Sequence, residues 1–276
     1  MSSGGNPYQL DTAIEMAKRE IFITYGHTTS VGRKTLKKYG NNTAVGTTEE
    51  DITLNGGTEV YLTTNGIDTI SSSDAADAGN IYIEGMTIVG SILTFVSQII
   101  VVDGQNKVLL TTPLARCTRM RGDHDGSIYA YEETAISAGV PVDTSKIHCT
   151  MSGDDNTSLK AGISVASTNY FVMTGWWSTL GKSAGSAAAD MRLKFSSLED
   201  AALPGVFYTD EIRSVSANSP LDASFHMYEI VRPNTDIIIT GQASSGSLDI
   251  HAGFYGFFAD IVDGSTLTAD GWVVQK

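Results

Sequence analysis

The chain is short of the residues from which active sites, cross-links and nucleic-acid contacts are commonly built. Only 18 Lys and Arg stand against 31 Asp and Glu, which sets the net charge at -13. Such a surface repels a polyphosphate backbone, so sequence-independent nucleic-acid binding is not expected. The two cysteines, Cys117 and Cys149, are too few for a disulfide framework, and their spacing suits no zinc module. Two buried free thiols are the expected state, with a single bridge as the alternative. There are five histidines and no GxSxG, HExxH, P-loop or GxGxxG run, so neither an enzyme nor a cofactor is expected. The opening MSSGGNPYQL lacks a charged n-region followed by an apolar run, which points to synthesis and assembly in a cytoplasm. The one charge-free stretch, residues 85–102, is interrupted by Ser91, Thr94, Ser97 and Gln98 and ends at Asp103-Gly104, so it reads as strands and no membrane span is expected.

What is present is turn-rich β text. At 276 residues the chain exceeds the roughly 100 to 200 usual for one domain. Runs rich in Val, Ile, Thr, Tyr and Phe (EVYLTT, NIYIEG, SILTFV, QIIVV, KVLLTT, SIYAYEE, KIHCTM) alternate with Gly, Asp, Asn and Ser clusters and read as a first antiparallel sandwich over residues 48–152. Longer runs follow: NYFVMTGWWSTL, AADMRLKFSSL, FHMYEIVR, DIIITGQAS and SLDIHAGFYGFFADIV, with GKSAGSA as a hairpin connection. They predict a second, jelly-roll-like sandwich over residues 153–263, ahead of a polar extension, 264–276, that carries Trp272. Met191, Leu193 and Phe195 alternate with Asp190, Arg192 and Lys194, the pattern of a strand with one face buried. The fold class is therefore mainly β: two antiparallel β-sandwich domains behind a short N-terminal helix and arm, residues 1–47.

The helix rests on Asn6 as N-cap, Pro7 at the first turn and Gln9 three after the cap. Leu10, Ala13, Ile14, Ala17 and Ile21 then recur at helical spacing. Up to residue 40, Lys18, Arg19, Arg33, Lys34, Lys37 and Lys38 oppose Asp11, Glu15 and Glu20. That makes +3 for the arm and leaves -16 for the rest. The expectation is an N-terminal anchor, made of Leu10, Ile14, Ala17, Arg33, Lys34, Lys37 and Lys38, docking on an acidic partner. A merely solvated basic face is the equal alternative.

Other constellations are weak. In GDHDG, Asp123 and Asp125 flank His124 and offer oxygen ligands to a hard cation, but Asp and Gly at that density are also what a hairpin turn uses, and the turn is favoured. Asp154 and Asp155 in SGDDNTS present the same choice. Of the adjacent Trp176 and Trp177, one must face outward from a strand, which suggests a subunit interface somewhat ahead of a glycan platform. Phe254 and Phe257, in a run apolar at consecutive positions, suggest burial on both faces where sandwiches pack side by side.

The stretches LKKYGNNTAVGTTEEDI, EVYLTT and SSSDAADAGNIYIEGM, then DDNTSLKAGISVASTNYFVMTGWW and RPNTDIIITGQASSGSLDIHAGFYGFFAD, resemble a set of virion structural proteins of tailed bacteriophages, many of them marine podoviruses. The likeness spans most of residues 34–262. It departs from the set in the apolar run from Met86 to Ile92 and in a longer N-terminal helix. The resemblance implies a non-enzymatic particle component, either a capsid decoration or cement protein, or a neck or tail adaptor. Its partners would be the major capsid protein, or portal and tail proteins. A homo-oligomer is implied, with a trimer suited to a decoration site, and the protein would reside in the virion.

Overall fold

The computed structural model describes residues 34–181, 187–199, 206–217, 219–260, 265–267 and 273–275. The expected helix with Leu10, Ile14, Ala17 and Arg33, the centre of the GKSAGSA connection, and Trp272 all lie outside the described residues. What is described is almost wholly β.

In chain order the strands are β1 (Lys34–Val45), β2 (Glu50–Asp51), β3 (Ile67–Ser72), β4 (Ala78–Val89), β5 (Ile92–Asp103), β6 (Val108–Leu114) and β7 (Arg116–Arg121). Then come β8 (Ile128–Glu132), β9 (Ile136–Ser137), β10 (Val140–Pro141), β11 (Ile147–Ser152), β12 (Thr157–Ser158), β13 (Gly162–Val165) and β14 (Asn169–Leu180). The last are β15 (Ala188–Ser197), β16 (Tyr208–Ser216), β17 (Leu221–Val231), β18 (Thr235–Ala243), β19 (Leu248–Asp260), β20 (Ser265–Leu267) and β21 (Val273–Gln275). SILTFV and QIIVV, which read as two strands, are one continuous β5, whereas EVYLTT is irregular.

Eight strands form one curled sheet in the order β5-β4-β7-β12-β11-β8-β3-β6. Its two edge strands meet through a side chain. Gln98 on β5 donates to the Thr112 carbonyl at 2.9 Å and accepts from the Thr112 N–H at 3.0 Å, so the amide substitutes for a missing ladder rung and nearly closes a barrel. Ile67, Ile70, Ile81, Ile83, Leu114, Met120, Ile128 and Met151 fill the interior.

The second unit is a sandwich of the sheets β1-β19-β14-β17 and β13-β18-β15-β16, with β2 added to β18. Both sheets contribute to its core, which includes Phe171, Trp176, Phe254 and Ile250 from one and Met191, Leu193, Ile237 and Ile239 from the other. In β15 the apolar residues Met191 and Leu193 are buried while Asp190 is exposed, as the alternation predicted.

Two boundaries differ from the sequence reading. Lys34–Val45 is no arm: it is the edge strand of the sandwich, paired with β19 from Lys34↔Phe258 to Val45↔Leu248. Gly40 lets it pass this close, since a Cβ there would meet the Ala161 nitrogen at 2.2 Å and the Ile52 oxygen at 2.3 Å. The barrel, β3 to β12, is thus inserted into the sandwich between β2 and β13, rather than lying ahead of it. A further correction concerns charge. With Lys34, Lys37 and Lys38 in β1, residues 1–33 keep Lys18, Arg19 and Arg33 against Asp11, Glu15 and Glu20. The segment nets zero, and the charge asymmetry that defined a basic arm is gone.

Candidate functional site

Charged side chains that would be solvated on a surface are buried where the barrel meets the sandwich. Arg116 on β7 reaches Asp236 on β18, with Nε 3.2 Å from both carboxylate oxygens and Nη2 3.0 Å from Oδ2. Nη1 donates to the carbonyls of Leu62 at 2.6 Å and Ala115 at 2.8 Å, and the guanidinium lies 4.7 Å from the centre of the Tyr61 ring. Ser164 Oγ also donates to Asp236. Burial lifts the Asp236 carboxyl above its ordinary pKa, against the pull of Arg116.

A second buried set surrounds Lys160. Its ammonium sits on Glu59 and donates to the carbonyls of Cys117 and His148, each at 3.2 Å. Burial lowers the Lys160 pKa, but Glu59, Cys149 and Cys117 together outweigh it and hold the ammonium above its ordinary value. His148 Nε2 is 3.2 Å from Glu132. Cys117 and Cys149 are free and buried, as expected.

In two groups of this region burial outweighs the compensation. Lys38 is buried and donates to the Thr118 carbonyl across the unit boundary. Desolvation, and after it the charge of Arg119, lower its pKa to about 7. Asp51 is buried too, and desolvation raises its carboxyl to about 7 although the Glu59 N–H donates to it at 2.7 Å. Lys38 is therefore a structural residue of the junction. Its assignment to a partner-binding anchor is corrected, while Lys37 on the same strand is exposed.

The aromatic candidates separate by face. Trp176 and Phe254 are wholly buried in the sandwich core, with Phe171 5.9 Å from Phe254 and the Trp176 indole donating to Glu211 at 2.7 Å. Neither is available to a partner or a glycan, which corrects both assignments. Trp177 points the other way, and Phe257 is half-buried, so this face of β19 is not sealed as the consecutive apolar run suggested. On it, Trp177 and Tyr39 are lateral neighbours across Gly253, and their rings lie 5.7 Å apart and within 16° of parallel. Tyr39 is in turn within 14° of the plane of His251, and its hydroxyl is 2.7 Å from His251 Nδ1. Asn41 donates to the Asp249 carboxylate at 2.7 Å beside them. Burial, then the carboxylates of Asp155 and Asp249, raise the Tyr39 hydroxyl pKa.

The charge-free stretch of sequence also divides. Met86 and Leu93, at the tip of the β4–β5 hairpin, pack with Ala166 and Leu198 of the sandwich unit. The apolar run from Met86 to Ile92 is thus partly an inter-unit contact. Further along, the outer barrel face leaves Ile99, Val101 and Leu109 exposed at 54%, 60% and 68%, with Tyr82 opposite Ile99 in the ladder. This uncharged strip lies on an acidic protein.

Asp123 and Asp125 occupy the turn that their Gly-flanked sequence predicted. Asp123 is 3.4 Å from the Asn156 amide, and the turn is pinned by Asp77, which accepts from the N–H groups of Asp125 at 3.0 Å and Gly126 at 3.1 Å. Among the described residues no group of three His, Cys, Asp or Glu side chains could hold a metal ion. Among them, too, no helix is long and apolar enough to cross a membrane.

No family model and no curated protein matches the chain. Among solved structures, that of infectious bursal disease virus Gt strain is similar over 87% of this chain and 78% of its own, at 11% identity and a TM-score of 0.23. The VP2 subviral particle of the same virus is similar over 92% and 89%, at 10% identity and a TM-score of 0.14. Both are distant likenesses to viral structures, and neither fixes a function.

Proposed function

We propose that the chain is a non-enzymatic structural component of a virus particle that binds other particle proteins and its own copies through the outer face of the barrel. The observation that carries this reading is the strip of Tyr82, Ile99, Val101 and Leu109. Exposed apolar side chains gathered on one sheet face cost free energy in water unless a partner covers them. On a chain of net charge -13, four neighbouring side chains without charge also offer a place where two acidic molecules meet with less repulsion. The text of residues 34–262, similar to phage virion proteins, supports a particle as the setting. Capsid decoration is the preferred site, and a neck or tail adaptor is the second reading.

The experiment is quantitative mass spectrometry of purified particles carrying this chain. Hundreds of copies indicate a capsid-surface protein, whereas about six or twelve indicate the neck or tail, following the closed symmetry of those assemblies. Absence from washed particles rejects both.

A further inference from the structure

We propose that the floor formed by Trp177, Tyr39 and His251 on the outer face of the sandwich is a saccharide-binding site that takes the apolar C–H face of a pyranose ring. Four features of the fold build it. Gly253 lies between Tyr39 and Trp177 in the ladder. A Cβ at that position would come within 2.9 Å of the Trp177 indole nitrogen, so only glycine lets the indole settle over the strand. The ring planes agree within 14° and 16°, and the Tyr39 hydroxyl is hydrogen-bonded to His251, which holds the rings as one surface. The floor is open to solvent: Tyr39 is 38% exposed and Trp177 partly so.

The rim is polar and acceptor-rich, which suits sugar hydroxyls. Asn41 positions Asp249 by donating to it. The Tyr39 hydroxyl and the Asn41 amide both address His251 Nδ1, which makes Nδ1 the acceptor and turns Nε2–H towards Asp249, 3.5 Å away. Asp249 is thereby held in place. Aromatic faces with a few placed polar groups are the usual make-up of a small-molecule site. A quaternary ammonium is the competing occupant for aromatics with carboxylates, but it is enclosed by rings turned towards one another, and these rings are near-parallel. The site does not depend on the assembly reading, since it uses neither the barrel strip nor a second copy.

The test is saturation-transfer NMR on the full chain with glucose, galactose, N-acetylglucosamine and short β-linked oligomers of each, followed by calorimetry on any binder and a parallel titration with choline. Saturation should reach the ring C–H protons of at least one sugar. Trp177→Ala should weaken that binding about tenfold or more, equivalent to about 1.4 kcal/mol, while Trp177→Phe retains most of it. Tyr39→Ala provides a second variant on the exposed edge strand should Trp177→Ala fail to fold. No transfer from any sugar, binding unchanged in Trp177→Ala and Tyr39→Ala, or binding of choline alone overturns the proposal.

Discussion

Arg116 and Asp236 lie 120 residues apart in sequence and form an ion pair in the structure with their side chains only 3% and 1% exposed, joining the barrel to the sandwich. A buried pair gains little over an apolar match, but half of one is costly, because the remaining charge has lost both water and partner. Asp236→Ala is therefore expected to destabilise the chain by about 3–5 kcal/mol in urea unfolding, and Arg116→Met/Asp236→Leu by clearly less. Equal losses in the single and double variants would show that packing, rather than the charge, matters at this point.

Lys38 and Asp51 predict an unusual pH profile. Lys38 binds its proton below about 7 when folded and below its ordinary 10.5 when unfolded. Between those values the unfolded chain holds the extra proton, so this group makes stability rise with pH by about 1.4 kcal/mol per unit. Asp51 does the reverse. Its folded carboxyl keeps a proton up to about 7 against an ordinary 3.8, so its contribution is lost as pH climbs between them. Together they place a stability minimum near neutrality. Urea midpoints measured against pH should lose the alkaline rise in Lys38→Met and the acid-side fall in Asp51→Asn.

Gln98 closes the barrel with two hydrogen bonds to Thr112, and no ladder pairs β5 with β6. Gln98→Ala should cost about 1–3 kcal/mol and raise amide exchange selectively in β5 and β6. Uniform exchange over the whole barrel would instead mean that the seam is held by apolar packing.

The strip predicts self-association. In sedimentation across a concentration series, the parent chain should form oligomers that Ile99→Asp/Val101→Asp converts to monomers. The thermal midpoint should scarcely move, because exposed substitutions typically change stability by about 0.5 kcal/mol or less.

The β content, most strand positions and the fact that one of Trp176 and Trp177 faces outward were legible in the sequence, because successive side chains on a strand alternate between faces; which of the two it is was not. The insertion of the barrel was not. KTLKKYGNNTAV reads as a basic arm, and only its ladder to β19 reveals an edge strand whose Lys38 turns inward. The junction was equally hidden. Arg116, Asp236, Glu59 and Lys160 each sit in or beside apolar runs, a hint of buried charge, but their partners lie 120 and 101 positions away and nothing local pairs them. The aromatic floor needed the register, since Gly253 gains its meaning only from standing between Tyr39 and Trp177.

The central claim, a particle component held through the barrel face, is tested most directly by comparing purified particles assembled with the parent chain and with Ile99→Asp/Val101→Asp. The account predicts the parent chain at a fixed copy number per particle and the variant, folded but lost from washed particles. Retention of the variant at the parental copy number, or absence of the parent chain from the particles, would contradict it.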